Sequence, residues 1–189
     1  MEFYYLHEDP KQCATWLSDW DVDRAVHCSV QSLCAAHYVL DSIPNKVTLR
    51  HREYDMESEV IVYVFGDERD VLLSPIYVAD QFENSKMALW VRESVENYNW
   101  MVDYAYALCL EYEYRFELKL EDFVKALYLL QSPPHNLKEW DWTDPSLDSM
   151  VDNPELQETL TKLFKREYIA TNNDKVWSKR TPPDWLNNT

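Results

Sequence analysis

The polar residues whose types and spacing could do chemistry lie on two stretches that read as helices. The first, over residues 22–41, carries Arg24, Gln31 and His37; the second, from about Lys86 to Phe116, carries Arg92, Glu96, Asn97, Tyr98, Glu111, Tyr112 and Arg115. Facing each other, these side chains would line a polar cleft able to act on a nucleotide or modified base. Arg24 and Arg115 would hold phosphate, Glu111 or His37 would move a proton as the catalytic group, and Tyr98 or Trp90 would stack a base. Gln31, Arg92 and Asn97 would complete the ligand-binding set. The spacing also has a plainer meaning. Arg92 with Glu96, and Glu111 with Arg115, stand four apart, as ion pairs on a solvated helix face do.

Metal and thiol chemistry find less support. Cys28, Cys34, His27 and His37 share the first long helix, but only Cys34 and His37 are spaced to share a face. No close cysteine pair completes a tetrahedral set, so neither a metal nor a cofactor is expected. A cysteine nucleophile needs a base beside it; Cys28 and His27, as helix neighbours, point about 100° apart, and neither that pair nor Cys34 with His37 gives the geometry by spacing. The cysteines read as small buried hydrophobes.

Composition removes whole classes of site. The chain of 189 residues has a single glycine, Gly66, where average usage would give roughly 13. Phosphate-cradling loops need several glycines for left-handed backbone or close approach to phosphate, and the nucleophile elbow needs Gly-x-Ser-x-Gly; neither can be built here. With 46% hydrophobic and 14% aromatic residues the chain can fill a core of ordinary size, so one domain over 1–189 is expected. The formal charge is −16; residues 162–189 hold six basic side chains against three acidic ones, leaving −19 on residues 1–161. An acidic body argues against nucleic acid as a partner, because that affinity comes from neutralising phosphates. A cationic tail either folds back on such a body or offers a second surface. Trp140, Trp142, Trp177 and Trp185, with Lys179 and Arg180, could stack bases, or equally anchor a protein interface. Met1-Glu2-Phe3-Tyr4-Tyr5 lacks the basic start of an export signal, and no apolar run reaches the ~18 residues of a membrane span. No membrane association is expected, and the four cysteines suit a reducing cytoplasm.

The positioning elements follow from period and punctuation. Phe3-Tyr4-Tyr5-Leu6 reads as a short strand, and Asp9-Pro10 as the start of a helix to about Trp16. Val22, Val26, Val30, Leu33, His37 and Leu40 recur at helical steps over 22–41, ending at Ile43-Pro44-Asn45. Val60 to Phe65 reads as a strand that Val47–His51 and Val71–Leu73 could pair with, in a small antiparallel sheet that the N-terminal strand could join. Lys86 to Phe116 runs without glycine or proline and predicts one long central helix. A further helix runs from Leu120 to Gln131, with Phe123, Val124, Leu127 and Leu130 inward, stopped by Pro133-Pro134. After an acidic, tryptophan-bearing loop over 135–153, Asn153-Pro154 opens a last helix to about Tyr168, with Leu156, Leu160, Leu163 and Phe164 apolar, and the tail over 170–189 docks. The expected fold is mainly α with a small antiparallel β element: a compact single-domain helical bundle around a long central helix.

The opening Phe3-Tyr4-Tyr5-Leu6-His7-Glu8-Asp9-Pro10, the stretch from Cys13-Ala14 through Asp19 to Gln31-Ser32-Leu33-Cys34-Ala35-Ala36-His37, the run Trp90-Val91-Arg92-Glu93-Ser94-Val95-Glu96-Asn97-Tyr98-Asn99-Trp100, Cys109-Leu110-Glu111-Tyr112-Glu113-Tyr114-Arg115 and the closing Trp177-Ser178-Lys179-Arg180-Thr181-Pro182-Pro183-Asp184-Trp185 together resemble a family of small proteins of large tailed phages and environmental viral genomes. The resemblance leaves out residues 43–84, which read as an insertion. It implies a viral origin and a compact helical fold more firmly than any reaction. Members of that family usually show an Asp-Lys-His signature followed by lysine, glutamate and glutamine along the first helix. Here Asp19 and Gln31 remain and Arg24 replaces the lysine, but Trp20 and Asp21 stand at the Lys-His pair and Cys28 at the glutamate. Past Arg115, the family's basic and histidine positions read Phe116-Glu117-Leu118-Lys119-Leu120. A kept apolar frame with a changed polar set points to a viral accessory protein that binds a host or viral protein through an acidic, tryptophan-rich surface, as an inhibitor or nucleic-acid mimic. The alternative is the small enzyme of the Arg/Glu/His cleft.

Overall fold

Asp9 and Pro10 begin the first helix as their chemistry dictates. In the computed structural model, which describes residues 4–43, 45–53, 56–64, 76–78, 82–145, 160–171 and 175–187, the Asp9 side chain accepts from the Lys11 N–H and Pro10 opens α1, Pro10–Trp16. Ser18 caps α2, Asp19–Asp41. Its hydroxyl accepts from the Asp21 N–H at 3.4 Å and donates to the Asp21 carboxylate at 2.5 Å. Val22, Val26, Val30 and Leu33 are fully buried along α2, the stripe that the sequence spacing predicts.

The chain then changes period. β1, Asn45–Glu53, pairs antiparallel with β2, Met56–Val64, in the register Val47 to Val62 and Leu49 to Val60. β3, Ile76–Val78, pairs antiparallel with the other edge of β2, giving the order β1-β2-β3. Tyr63 on β2 is buried with its ring 5.5 Å from that of Tyr38 on α2, which seats the sheet on that helix. Gly66, Phe65 and Val71–Leu73 lie outside the described residues.

Two expectations are corrected. Tyr4, Tyr5 and Leu6 form no strand; Tyr5 and Leu6 are buried in the helical core, and the Leu6 N–H donates to the Cys13 sulfur at 3.4 Å. Tyr5 and Leu6 thus serve the helical core instead of a sheet edge. The long central helix is two helices, α3 at Lys86–Val91 and α4 at Val95–Phe116. Ser94 between them takes an extended backbone, caps α4 by accepting from the Asn97 N–H, and is wholly buried. Helical spacing carries across this break because both helices bury a face in the same core.

α5 spans Glu121–Leu130 and buries Ala126, Leu127 and Leu130, whereas Val124 is exposed and Phe123 only partly covered. α6, Leu160–Ala170, buries Leu163, Phe164 and Tyr168; Asn153-Pro154 and Leu156 fall outside the described residues. Residues 175–187 lie against the body, where Trp177 and Trp185 pack on the core and the Trp177 indole N–H donates to the Trp16 carbonyl at 3.1 Å. The protein is mainly helical with a small antiparallel sheet, and α4 contacts α1, α2, α3 and α5. Among the described residues no helix is long and apolar enough to cross a membrane.

Candidate functional site

Glu111 and Arg115 face inward from the last turns of α4, and both are almost wholly buried. Arg115 Nε donates to Glu111 Oε1 at 2.7 Å; Nη1 donates to the Leu17 carbonyl at 2.8 Å and to Asp19 Oδ1 at 3.0 Å; Nη2 donates to the Thr15 carbonyl at 3.0 Å. The guanidinium thus ties α4 to the turn between α1 and α2. Arg180 comes from the tail and grips the same carboxylate, through Nε at 2.9 Å and Nη2 at 2.7 Å. Ser178 bonds Asp19 through its N–H and its hydroxyl, the latter at 2.6 Å.

Burial pushes the carboxyl pKa of Glu111 upward, but the bonds and charges of Arg180 and Arg115 outweigh it and hold the pKa below the ordinary value. Asp19 behaves alike, with burial opposed by the Ser178 bonds and by Arg115. Both oxygens of Glu111 accept from guanidinium groups. A carboxylate so engaged is a poor proton acceptor, since a general base needs a raised pKa and room for the substrate proton.

The second expected catalytic group lies elsewhere. His37 Nε2 is 2.9 Å from the Tyr98 hydroxyl and 3.1 Å from the Ser132 carbonyl, and the Tyr98 hydroxyl donates to the Leu130 carbonyl at 2.6 Å. With that hydroxyl proton committed, His37 Nε2–H is the donor to both oxygens. Burial lowers the His37 pKa. The pair ties α2 and α4 to the end of α5. Tyr98 and Glu111 are 13 residues apart on one helix, about 20 Å at the α-helical rise, so His37 and Glu111 do not share a cleft.

The remaining candidates scatter further. Asn97 is buried; its side chain donates to the Trp90 and Thr143 oxygens and accepts from the Thr143 N–H at 3.0 Å, fastening the loop after α5 to the start of α4. Arg92 caps α3, and burial lowers its pKa. Arg24 is exposed on α2, its guanidinium carbon 5.9 Å from the centre of the Trp20 ring. Gln31 lies half-buried on α2. Of the eight candidates, the structure joins Glu111 with Arg115 and His37 with Tyr98, and brings Arg24 to neither pair.

Sequence reasoning missed the partners that complete the first cluster, Ser178 and Arg180 from the tail; their signal was the opposite charge of tail and body. It also missed a groove of about 290 Å³ between α2 and α4, lined by Asp19, Trp20, Asp23, Tyr112 and Phe116. The tryptophans divide unevenly. Trp90 is buried 5.9 Å from Trp100, and Trp142, Trp177 and Trp185 pack on the core, while Trp20 and Trp140 stand 64% and 70% exposed. All four cysteines are buried, and burial raises the Cys13 thiol to about 11 and Cys109 to about 12, which keeps both protonated and unreactive. Among the described residues no group of three or more His, Cys, Asp or Glu side chains is placed to hold a metal ion. No family model matches the chain, and neither a curated protein nor a solved structure matches it.

Proposed function

We propose that this chain is a binding protein, a phage-type accessory protein that engages a host or viral protein through its acidic body and its exposed aromatic side chains. The observation that carries this reading is the internal use of the residues that chemistry would need. Glu111 is held by two guanidinium groups and Arg115 by two carboxylates and two carbonyls, while His37 lies on α2 and bonds Tyr98 near the other end of α4. What is left for a partner is surface: a formal charge of −16 and large exposed side chains such as Trp20, Trp140 and Tyr128. Large rings anchor protein interfaces and surface charge speeds encounter with an oppositely charged partner. Carboxylates spaced like phosphates would let such a surface occupy a nucleic-acid site on that partner. The setting is the host cytoplasm, where buried thiols stay reduced.

The test is affinity capture with the intact chain from lysates of phage-infected cells, at low and at physiological salt. A stoichiometric protein partner, captured more strongly at low salt, is expected. Recovery of none under either condition overturns the reading.

A further inference from the structure

We infer that the groove between the first turns of α2 and the last turns of α4 is a cage for one lysine or arginine side chain of the partner protein, an inference that rests on the binding reading above. Its walls are three aromatic side chains and two carboxylates: Trp20 and Asp23 with Asp19 on α2, Tyr112 and Phe116 one turn apart on α4. The Tyr112 and Phe116 rings meet edge to face with centroids 4.6 Å apart, and Trp20 stands largely exposed beside the opening. Aromatic faces attract cations through their quadrupoles, most strongly where water is partly excluded.

The two carboxylates have different parts. Asp19 spends its oxygens on Arg115 and Ser178, and so adds charge without an open bonding position. Asp23 makes no hydrogen bond or ion pair among the described residues, which leaves its oxygens for an incoming N–H. An anion would meet two negative charges here, and an apolar plug would bury Asp23 unpaired at a cost. A volume of about 290 Å³ leaves room for the end of one long side chain. Arg24 is the internal competitor, since its guanidinium already lies over the Trp20 ring and repels a second cation.

The probe is a fluorescein-labelled peptide of alternating arginine and alanine with blocked ends, titrated with the intact chain by anisotropy at about 50 mM salt. A peptide with citrulline at each arginine is the uncharged control. Trp20→Ala and Asp23→Asn change an exposed ring and an unbonded carboxylate, and thermal midpoints close to that of the parent confirm folding. Each is expected to weaken binding about three- to five-fold. Arg24→Ala is expected to tighten it about two-fold. Asp103→Asn removes the same charge at an exposed site on α4 about 13 Å along the helix from Tyr112, and is expected to change little. Equal losses in Asp23→Asn and Asp103→Asn, or unchanged affinity in Trp20→Ala, overturn the cage. In affinity capture, a partner recovered equally well by the parent and by the Trp20→Ala/Asp23→Asn double variant also overturns the cage but leaves the binding reading standing. Recovery of no partner by the parent overturns that reading, and the peptide titration then decides the cage alone.

Discussion

Arg115 bonds Thr15, Leu17, Asp19 and Glu111, joining α4 to the end of α1 and the start of α2. Its removal leaves the buried Glu111 and the half-buried Asp19 each short of a partner. Breaking a buried ion pair from one side costs about 3–5 kcal/mol, so Arg115→Ala is expected to lose stability of that order in urea unfolding. A loss below about 1 kcal/mol would mean that water or Arg180 takes over its bonds. His37 gives a second test. Burial lowers its pKa in the folded state, so the fold favours the neutral ring. That contribution is fully present above the ordinary histidine value near 6.5 and is lost as pH falls through the lower folded value. The stability lost on acidification from pH 7.5 to 5.5, followed by urea midpoints, is expected to shrink in His37→Gln; an unchanged pH slope would remove His37 as the cause. At this scale, the Glu111–Arg115 contact was legible because four-residue spacing brings such pairs together on any helix. Its burial was not, because the groups that make burial tolerable, Asp19 and Arg180, come from distant parts of the chain.

Helix starts were legible where a capping residue meets a change of period, as at Asp9-Pro10, and the stripe Val22, Val26, Val30, Leu33 announced the buried face of α2. The gap between α3 and α4 was not legible. Arg92-Glu93-Ser94 contains neither glycine nor proline, and Trp90, Val91, Val95 and Tyr98 keep helical steps across it. Serine does here what punctuation residues do elsewhere: Ser18, Ser85 and Ser94 cap helices with their hydroxyls. Helix ends show the same economy of glycine. α2 closes on Ser42 at φ 60° and α4 on Glu117 at φ 59°, left-handed positions that glycine usually fills. A non-glycine residue there costs about 1–2 kcal/mol, partly offset because glycine gains more freedom in the unfolded chain. Ser42→Gly is therefore expected to raise stability by about 0.5–1 kcal/mol, read as a higher thermal midpoint. A lower midpoint would show that the Ser42 side chain holds α2 to its surroundings.

Charge organises the molecule as a whole, with a tail of net positive charge lying on a body of net negative charge. Arg180 reaches Glu111, Lys179 reaches Glu117 and Lys175 lies 3.8 Å from Asp21, so tail docking reads the charge division directly. Charge left open whether the tail folds back on the body or offers a second surface; which carboxylates receive it depended on α4 turning Glu111 inward. These contacts differ in how far water screens them. The Lys179–Glu117 pair is exposed and weakens with salt, while Glu111 is buried and keeps its bonds to Arg180 when the Debye length falls to about 3 Å. Acid works the other way. Glu111 and Asp19 have depressed pKa values, so the stability they give is present above the ordinary carboxylate range near pH 4 and disappears as pH falls through their folded values. Hydrogen exchange over residues 175–187 separates the two mechanisms. Protection is expected to survive about 1 M salt at pH 7 and to be lost on acidification below the ordinary carboxylate range, after correction for intrinsic exchange rates. Glu111→Gln is expected to weaken protection already at neutral pH, because the amide cannot accept both guanidinium groups as a charge. Tail protection that collapses in salt but survives acid would mean that exposed pairs such as Lys179–Glu117, and not the Glu111 and Asp19 carboxylates, hold the tail to the body.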